Sequence, residues 1–388
     1  MLRHASAIKV HLRKLARTLA TRTTAWVNLG GDANSTQTHL LPRNTLMAMN
    51  VIAPTPPPAP TSATITPIGT GRHWLARLPP GLFAIVFGLL GVASAWRRLV
   101  VFDAGYVDVI ASALLHVGTS LLELLLLLWL IKFVRYQSDV QKDFAHPVNG
   151  ALLSLLPLTV LLAVALWLPL LPQYMDIASS ITVAALGLQG VIAWRVVSRV
   201  ATGELPADMV TPALYLPPVG GGLIGALALN ALGLHGWAVL LFGMGVAAWA
   251  LLEARVMNRL FAGPLPPPLR PTLGVEIASA PVATLVAATL WPALSADVLL
   301  IGVGISCGPL IAVLARWRWW TNVPFSAGFW SFSFPIAAFA SVIVEAVRRG
   351  GWPTPVAYGA VMIASVLIVY LAVRTIALLL RGRLLPPG

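Results

Sequence analysis

Seven histidines, one cysteine and thirteen carboxylates are the groups from which this chain could build a catalytic or metal centre. His4, His11, His39, His73, His116, His146 and His235 are scattered, with no HExxH or other ligand spacing. Cys307 stands alone, which excludes an internal disulfide, a thiolate zinc site and a CxxC redox pair. No His/Asp/Glu cluster and no Ser–His pairing within one region supports catalysis. Gly221 and Gly222 lie in an apolar run and lack the lysine of a phosphate-binding loop. Enzyme chemistry is therefore not expected, and neither a metal nor a cofactor. Glu123 and Arg374 sit inside apolar runs, where ionisable side chains are costly and are usually paired or functional. They are expected to form a structural ion pair, while His116 and Asn230 read as helix-packing groups.

Composition sets the elements that must hold these groups. Of 388 residues, 58% are hydrophobic and 10% charged, against roughly 25% charged in soluble domains. Mean hydropathy is +0.83. Crossing a hydrocarbon core takes about 20 mostly apolar residues, and ten such segments follow one another. They are 79–96, 109–131, 150–171, 177–197, 211–233, 237–257, 274–293, 296–315, 326–347 and 356–380. Membrane β-strands would alternate over about half that length, so the chain reads as an all-α integral membrane protein of ten transmembrane helices.

The net charge of +13 follows from 26 basic and 13 acidic residues. With the N-terminus inside, Lys132, Arg135, Lys142, Arg195, Arg199, Arg255, Arg259, Arg270, Arg316, Arg318, Arg381 and Arg383 are cytoplasmic. Only Arg97, Arg98, Arg348 and Arg349 are then outside. This is a positive-inside asymmetry, and it places both termini in the cytoplasm. The bilayer accounts for the charge, and no nucleic acid is needed as a partner.

Residues 1–78 read as a separate tail ahead of a transmembrane domain at 79–385. Ile8, Leu12, Leu15 and Leu19 alternate with Lys9, Arg13, Lys14 and Arg17, as in a basic helix lying on an anionic membrane surface. Met47 and Met49 are alternative starts, so 1–46 is either such a tail or a stretch the protein does without. Residues 51–70 are uncharged and rich in Pro and Thr, which buries too little to fold and reads as a linker.

Prolines reveal a repeat. Pro157, Pro217 with Pro218, Pro281 and Pro335 lie several residues into segments three, five, seven and nine. Even segments lack interior proline except for Pro309 in the eighth. Interior proline kinks a helix and frees a carbonyl, which at membrane depth is tolerated against protein or a water-filled cavity. The pattern predicts five hairpins, with odd helices bent around a central pore and even helices outside, a pseudo-five-fold arrangement. In the first segment Gly88 and Gly91 take the place of proline. Gly220, Gly221, Gly222 and Gly225 either admit close helix packing or widen the pore. Closing the ring brings the last hairpin beside the first, hence the expected Glu123–Arg374 pair.

Six blocks then carry a resemblance: PPGLFAIVFGLLG (79–91), HPVNGALLSLLP (146–157), TPALYLPPVGGG (211–222), LRPTLG (269–274), PFSAGFWSFSFP (324–335) and RTIALLLRGRLL (374–385). In this order the chain resembles the tellurite-resistance/dicarboxylate transporter family, which includes bacterial TehA-type proteins and plant guard-cell slow anion channels. The resemblance implies ten helices around a pore, assembly as a homotrimer with one pore per subunit, and an aromatic plug from the ninth helix. By motif position that plug is Phe334, the pore gate. This chain has Pro335 after it, as the plant channels do, and Glu276 and Ser279 where the family more often has Gln-Leu-Ala-Pro-Pro.

Glu276 and Glu345 fall near segment ends, so the interior of the odd helices is uncharged. A neutral pore with hydroxyls such as Ser331 and Ser333 suits weak binding of small inorganic or organic anions, as conduction requires. The reading is an anion channel or uniporter in the inner (plasma) membrane. The alternative is a proton-coupled exporter of oxyanions such as tellurite or sulfite, or of C4-dicarboxylates, which would need titratable groups along its path.

Overall fold

The computed structural model describes residues 73–385; the basic helix expected in 1–46 and the linker at 51–70 lie outside the described residues. Among these, regular structure is helical throughout. Ten helical spans are long and apolar enough to cross a membrane: Pro80–Leu99, Tyr106–Arg135, Pro147–Trp167, Pro172–Ala201, Pro212–Ala231, His235–Phe261, Pro267–Leu290, Ala296–Leu314, Ala327–Gly350 and Thr354–Leu380. They are numbered 1 to 10 and fall on the ten expected segments. Span 7 starts earlier than its hydropathy suggested, because Pro267–Thr272 winds into a helical turn of its own. Leu75 and Leu78 are buried, so the compact body takes in a few residues ahead of Pro79.

Burial alternates along the chain. Within the most apolar window of each span, 61% to 83% is buried in the odd spans and 17% to 28% in the even ones. The odd spans touch in a closed cycle, 1 to 3, 3 to 5, 5 to 7, 7 to 9 and 9 back to 1. Each even span packs on the odd span before it and the odd span after it, with span 10 returning to span 1. Trp96 Nε1 donates to Ser365 Oγ at 2.9 Å and Trp330 Nε1 to Thr375 Oγ1 at 2.8 Å, tying spans 1 and 9 to span 10. Outward faces of the even spans carry large apolar side chains such as Trp194, Leu251 and Ile363, the surface that hydrocarbon solvates.

The prolines act differently from expectation. Spans 3, 7 and 9 each consist of a short helical piece followed by a second helix, at Leu155–Trp167, Ser279–Leu290 and Ser333–Gly350. Pro157, Pro281 and Pro335 are each the third residue of that second helix. There the amide hydrogen would have no intrahelical acceptor, so proline costs nothing and sets the new helix going instead of bending an old one. Span 5 does contain a distortion: Pro217 and Pro218 lie in a wide turn, Leu216–Gly220. Gln189 of span 4 donates into this turn from Nε2, to Pro217 O at 2.7 Å and to Leu216 O at 3.3 Å, the latter also accepting the Gly221 N–H.

Gly88 and Gly91 are not substitutes for proline either, since Phe83–Leu99 is one unbroken helix. They are notches that let span 9 approach span 1. A β-carbon on Gly88 would run into Ser333, and one on Gly91 into Phe334. Gly222 likewise meets the backbone of Gly245 in span 6, and Gly221 faces Gln189 of span 4. These two glycines serve packing, and Gly221 does not line the pore.

Candidate functional site

Two cavities lie end to end inside the ring of odd spans. The first, about 100 Å³, is lined by residues early in all five odd spans, among them Ala84, Leu155, Val219, Val275 and Ser331. The second, about 140 Å³, is lined by residues late in the same spans and just after span 3, including Ser94, Leu166, Asn230, Thr289 and Ser341. No even span contributes to either. The odd spans therefore run parallel around a central tunnel.

Phe334, Ile224 and Val282 line both cavities and form the partition between them. Phe334 is 8% exposed, and its ring stacks on Phe87 with centroids 3.8 Å apart and planes inclined by 24°. Phe334, the residue expected at the gate, thus lies where the two cavities meet. Gly91 permits its position, because a β-carbon there would come within 2.8 Å of Phe334 Cδ2. Phe87, Ile224 and Val282 were not singled out from sequence. In an apolar helix nothing marks the residue that faces the axis, and only Phe87, next to Gly88 in the 79–91 block, carried a neighbouring signal.

The other expected lining residues divide. Ser331 and Pro335 line the first cavity and Gly91 the second. Gly88, Pro157, Pro217, Pro218, Gly221, Pro281 and Ser333 line neither. Nor are the two hydroxyls free donors for an anion. Ser331 Oγ donates to Pro271 O, and Ser333 Oγ, buried against Gly88, donates to Trp330 O at 2.5 Å. Serine hydroxyls in helices commonly satisfy themselves on backbone carbonyls in this way, and the first cavity is left almost wholly apolar.

Charge collects at the far end of the tunnel. Arg98, in the last turn of Phe83–Leu99, lines the second cavity. Its Nη1 meets Glu345 Oε1 at 2.7 Å and its Nη2 donates to Thr289 Oγ1 at 3.1 Å. Arg348 and Arg349 occupy the other oxygen of Glu345. At the opposite end, Tyr215 lines the first cavity and donates to Glu253 Oε2 at 2.8 Å. Glu276 lies beside this pair, 7% exposed, and its Oε2 has no partner. Both glutamates of the odd spans are thus buried at the tunnel's ends, consistent with an uncharged middle.

The expected Glu123–Arg374 pair does not form. Arg374 donates to Tyr370 Oη at 2.9 Å and lies over the Phe325 ring at 4.8 Å. Glu123 is exposed on span 2 and makes no ion pair among the described residues. Closure does bring the first and last hairpins together, but spans 2 and 10 each pack on span 1 and not substantially on each other. Among the described residues no group of three His, Cys, Asp or Glu side chains could hold a metal ion.

Ten membrane-length helices around a constricted axial tunnel place the protein among the multi-pass channels and transporters. The family model described as SLAC1, voltage-dependent anion channel, matches residues 77–377, and the chain belongs to that family. It is similar to the tellurite resistance protein TehA homolog of Haemophilus influenzae, with 26% identity over 310 residues, covering 79% of this chain and 92% of that one. The family is one of anion channels and transporters.

Proposed function

We propose that this protein passes small anions down their electrochemical gradient through the axial tunnel, with Phe334 as a plug that must swing off Phe87 to open it. The observation that carries this reading is the meeting of two cavities at the Phe334 ring, neither lined by a carboxylate. The single ionised lining residue is Arg98. An apolar, uncharged stretch holds anions weakly, which lets them leave as well as enter. Selectivity then follows dehydration cost and favours larger, weakly hydrated anions.

The basic residues favour cytoplasmic termini in the inner (plasma) membrane, with the first cavity on the cytoplasmic side. The five hairpins form a pseudo-five-fold set, and three subunits assemble with one tunnel each. Support for assembly comes from span 2, where His116, Ser120 and Glu123 recur every three or four residues on an exposed face. Such a polar line is ill suited to lipid, and a neighbouring subunit would cover it.

The test is planar-bilayer recording of the protein and of Phe334→Ala in chloride, nitrate, sulfite and malate. Removing the plug should raise the anion current roughly tenfold or more, the change produced by lowering the barrier by ~1.4 kcal/mol or more. A near-zero current that stays unchanged in the variant would remove Phe334 from that role. One observation favours proton-coupled export of oxyanions or C4-dicarboxylates instead: buried Glu276 is a titratable group beside Tyr215, which faces the tunnel. Under that reading a pH gradient alone drives anion accumulation, and Glu276→Gln abolishes it.

A further inference from the structure

We infer that the second cavity contains a discrete binding site for a small monovalent anion, formed by Arg98 and Ser94 of span 1 and Asn230 of span 5. The inference rests on the channel reading above and deepens it. All three side chains line this cavity, on the side of Phe334 away from Glu276. Arg98 is held in place by Glu345 at 2.7 Å and Thr289 at 3.1 Å, one bond from each terminal nitrogen. A guanidinium has five N–H donors, so two bonds do not use up its capacity.

The other polar lining groups sort themselves by where their protons go. Thr289 Oγ1 donates to Leu285 O at 2.8 Å and Ser341 Oγ to Ala337 O at 2.9 Å. Neither can donate to a ligand. Ser94 and Asn230 have no side-chain partner among the described residues, so their hydroxyl and amide donors are available to one. Free donors in a cavity beside a fixed cation suit an anion.

The surrounding charge sets the strength. Glu345 is shared by Arg98, Arg348 and Arg349, so the cluster keeps a positive excess at this end of the tunnel. Glu345 also tempers Arg98, which keeps the site weak enough to release its ion. An anion that has passed Phe334 is met here before it reaches bulk water.

Crystals of the full chain soaked in bromide, read by anomalous scattering, test the site directly. Flux titrations in proteoliposomes test its use. Arg98→Gln leaves Glu345 paired with Arg348 and Arg349, so it does not strand a buried carboxylate. We expect a bromide peak among Arg98, Ser94 and Asn230, absent in Arg98→Gln and retained in Arg348→Gln. The half-saturating anion concentration for flux should rise about tenfold in Arg98→Gln, the loss typical of a charged hydrogen-bonding group. If that variant does not fold, Ser94→Ala combined with Asn230→Leu should show a rise of the same sign. A missing peak in the parent protein, or one that survives Arg98→Gln, overturns the site. Flux without the peak leaves the channel standing and the site refuted; a peak without flux in any variant does the reverse.

Discussion

Gly91 and the Phe334 ring are fitted to each other: an added β-carbon would lie 2.8 Å from Phe334 Cδ2 and 3.2 Å from Ala337 Cβ. Gly91→Ala should therefore push the ring off Phe87 and raise basal anion flux in proteoliposomes, at a stability cost of about 1–3 kcal/mol. Gly88→Ala, which meets Ser333 instead, should lower thermal stability without opening the tunnel. Gly187→Ala, with nothing within 4 Å, should stay within ~0.5 kcal/mol of the parent. Equal flux in the Gly88 and Gly91 variants would disconnect the notch from the plug. At this level the sequence was only partly legible. Phe334 could be placed because it sits in a distinctive twelve-residue block, whereas Ile224 and Val282 look like any other aliphatic in a hydrophobic helix. The Ser331 and Ser333 hydroxyls were misjudged as ligand donors because their acceptors, Pro271 O and Trp330 O, are a matter of backbone geometry. Arg98 read as a loop charge because its partner Glu345 is 247 residues away.

Spans are assembled from pieces, and the junctions are where polar side chains matter. Gln189 reaches from a lipid-facing helix into the broken turn at Pro217 and donates to two of its carbonyls. Gln189→Leu removes the side-chain donor from Pro217 O, leaving Leu216 O its bond from the Gly221 N–H, and should destabilise the protein by about 1–3 kcal/mol, read as a lower melting temperature in detergent. An unaltered melting curve would mean that water or relaxation serves the turn equally well. A comparable junction lies at the end of span 2, where buried Lys132 donates to Leu78 O and Asp143, each at 2.7 Å. Asp143 also accepts from Asn149 at 3.0 Å, so one carboxylate joins span 2 to the start of span 3. Proline spacing marked the helices that are buried, yet the reason given for it holds only at span 5. A proline in a helix's first turn and one in its interior are identical in sequence, and only the preceding break distinguishes them.

Alternating burial gives the protein an inner ring, shielded from lipid, and an outer ring of helices that meet it. The arginines that broke the positive-inside trend are accounted for by pairing: Arg97 with Asp108, and Arg98, Arg348 and Arg349 with Glu345. In a Cys307→Ser background, a cysteine at Trp352 should react with an impermeant maleimide on intact cells, and one at Arg383 only after the membrane is opened. The opposite pattern would invert the orientation. The two compartments flanking the aromatic partition also differ in kind, one almost wholly apolar and the other furnished with a guanidinium, a hydroxyl and an amide. An ion approaching from the furnished side sheds its hydration onto a ready-made cation and donors, while one from the apolar side sheds it for much less. In identical salt solutions the unplugged Phe334→Ala conduit should therefore rectify, and neutralising Arg98 should straighten its current–voltage curve.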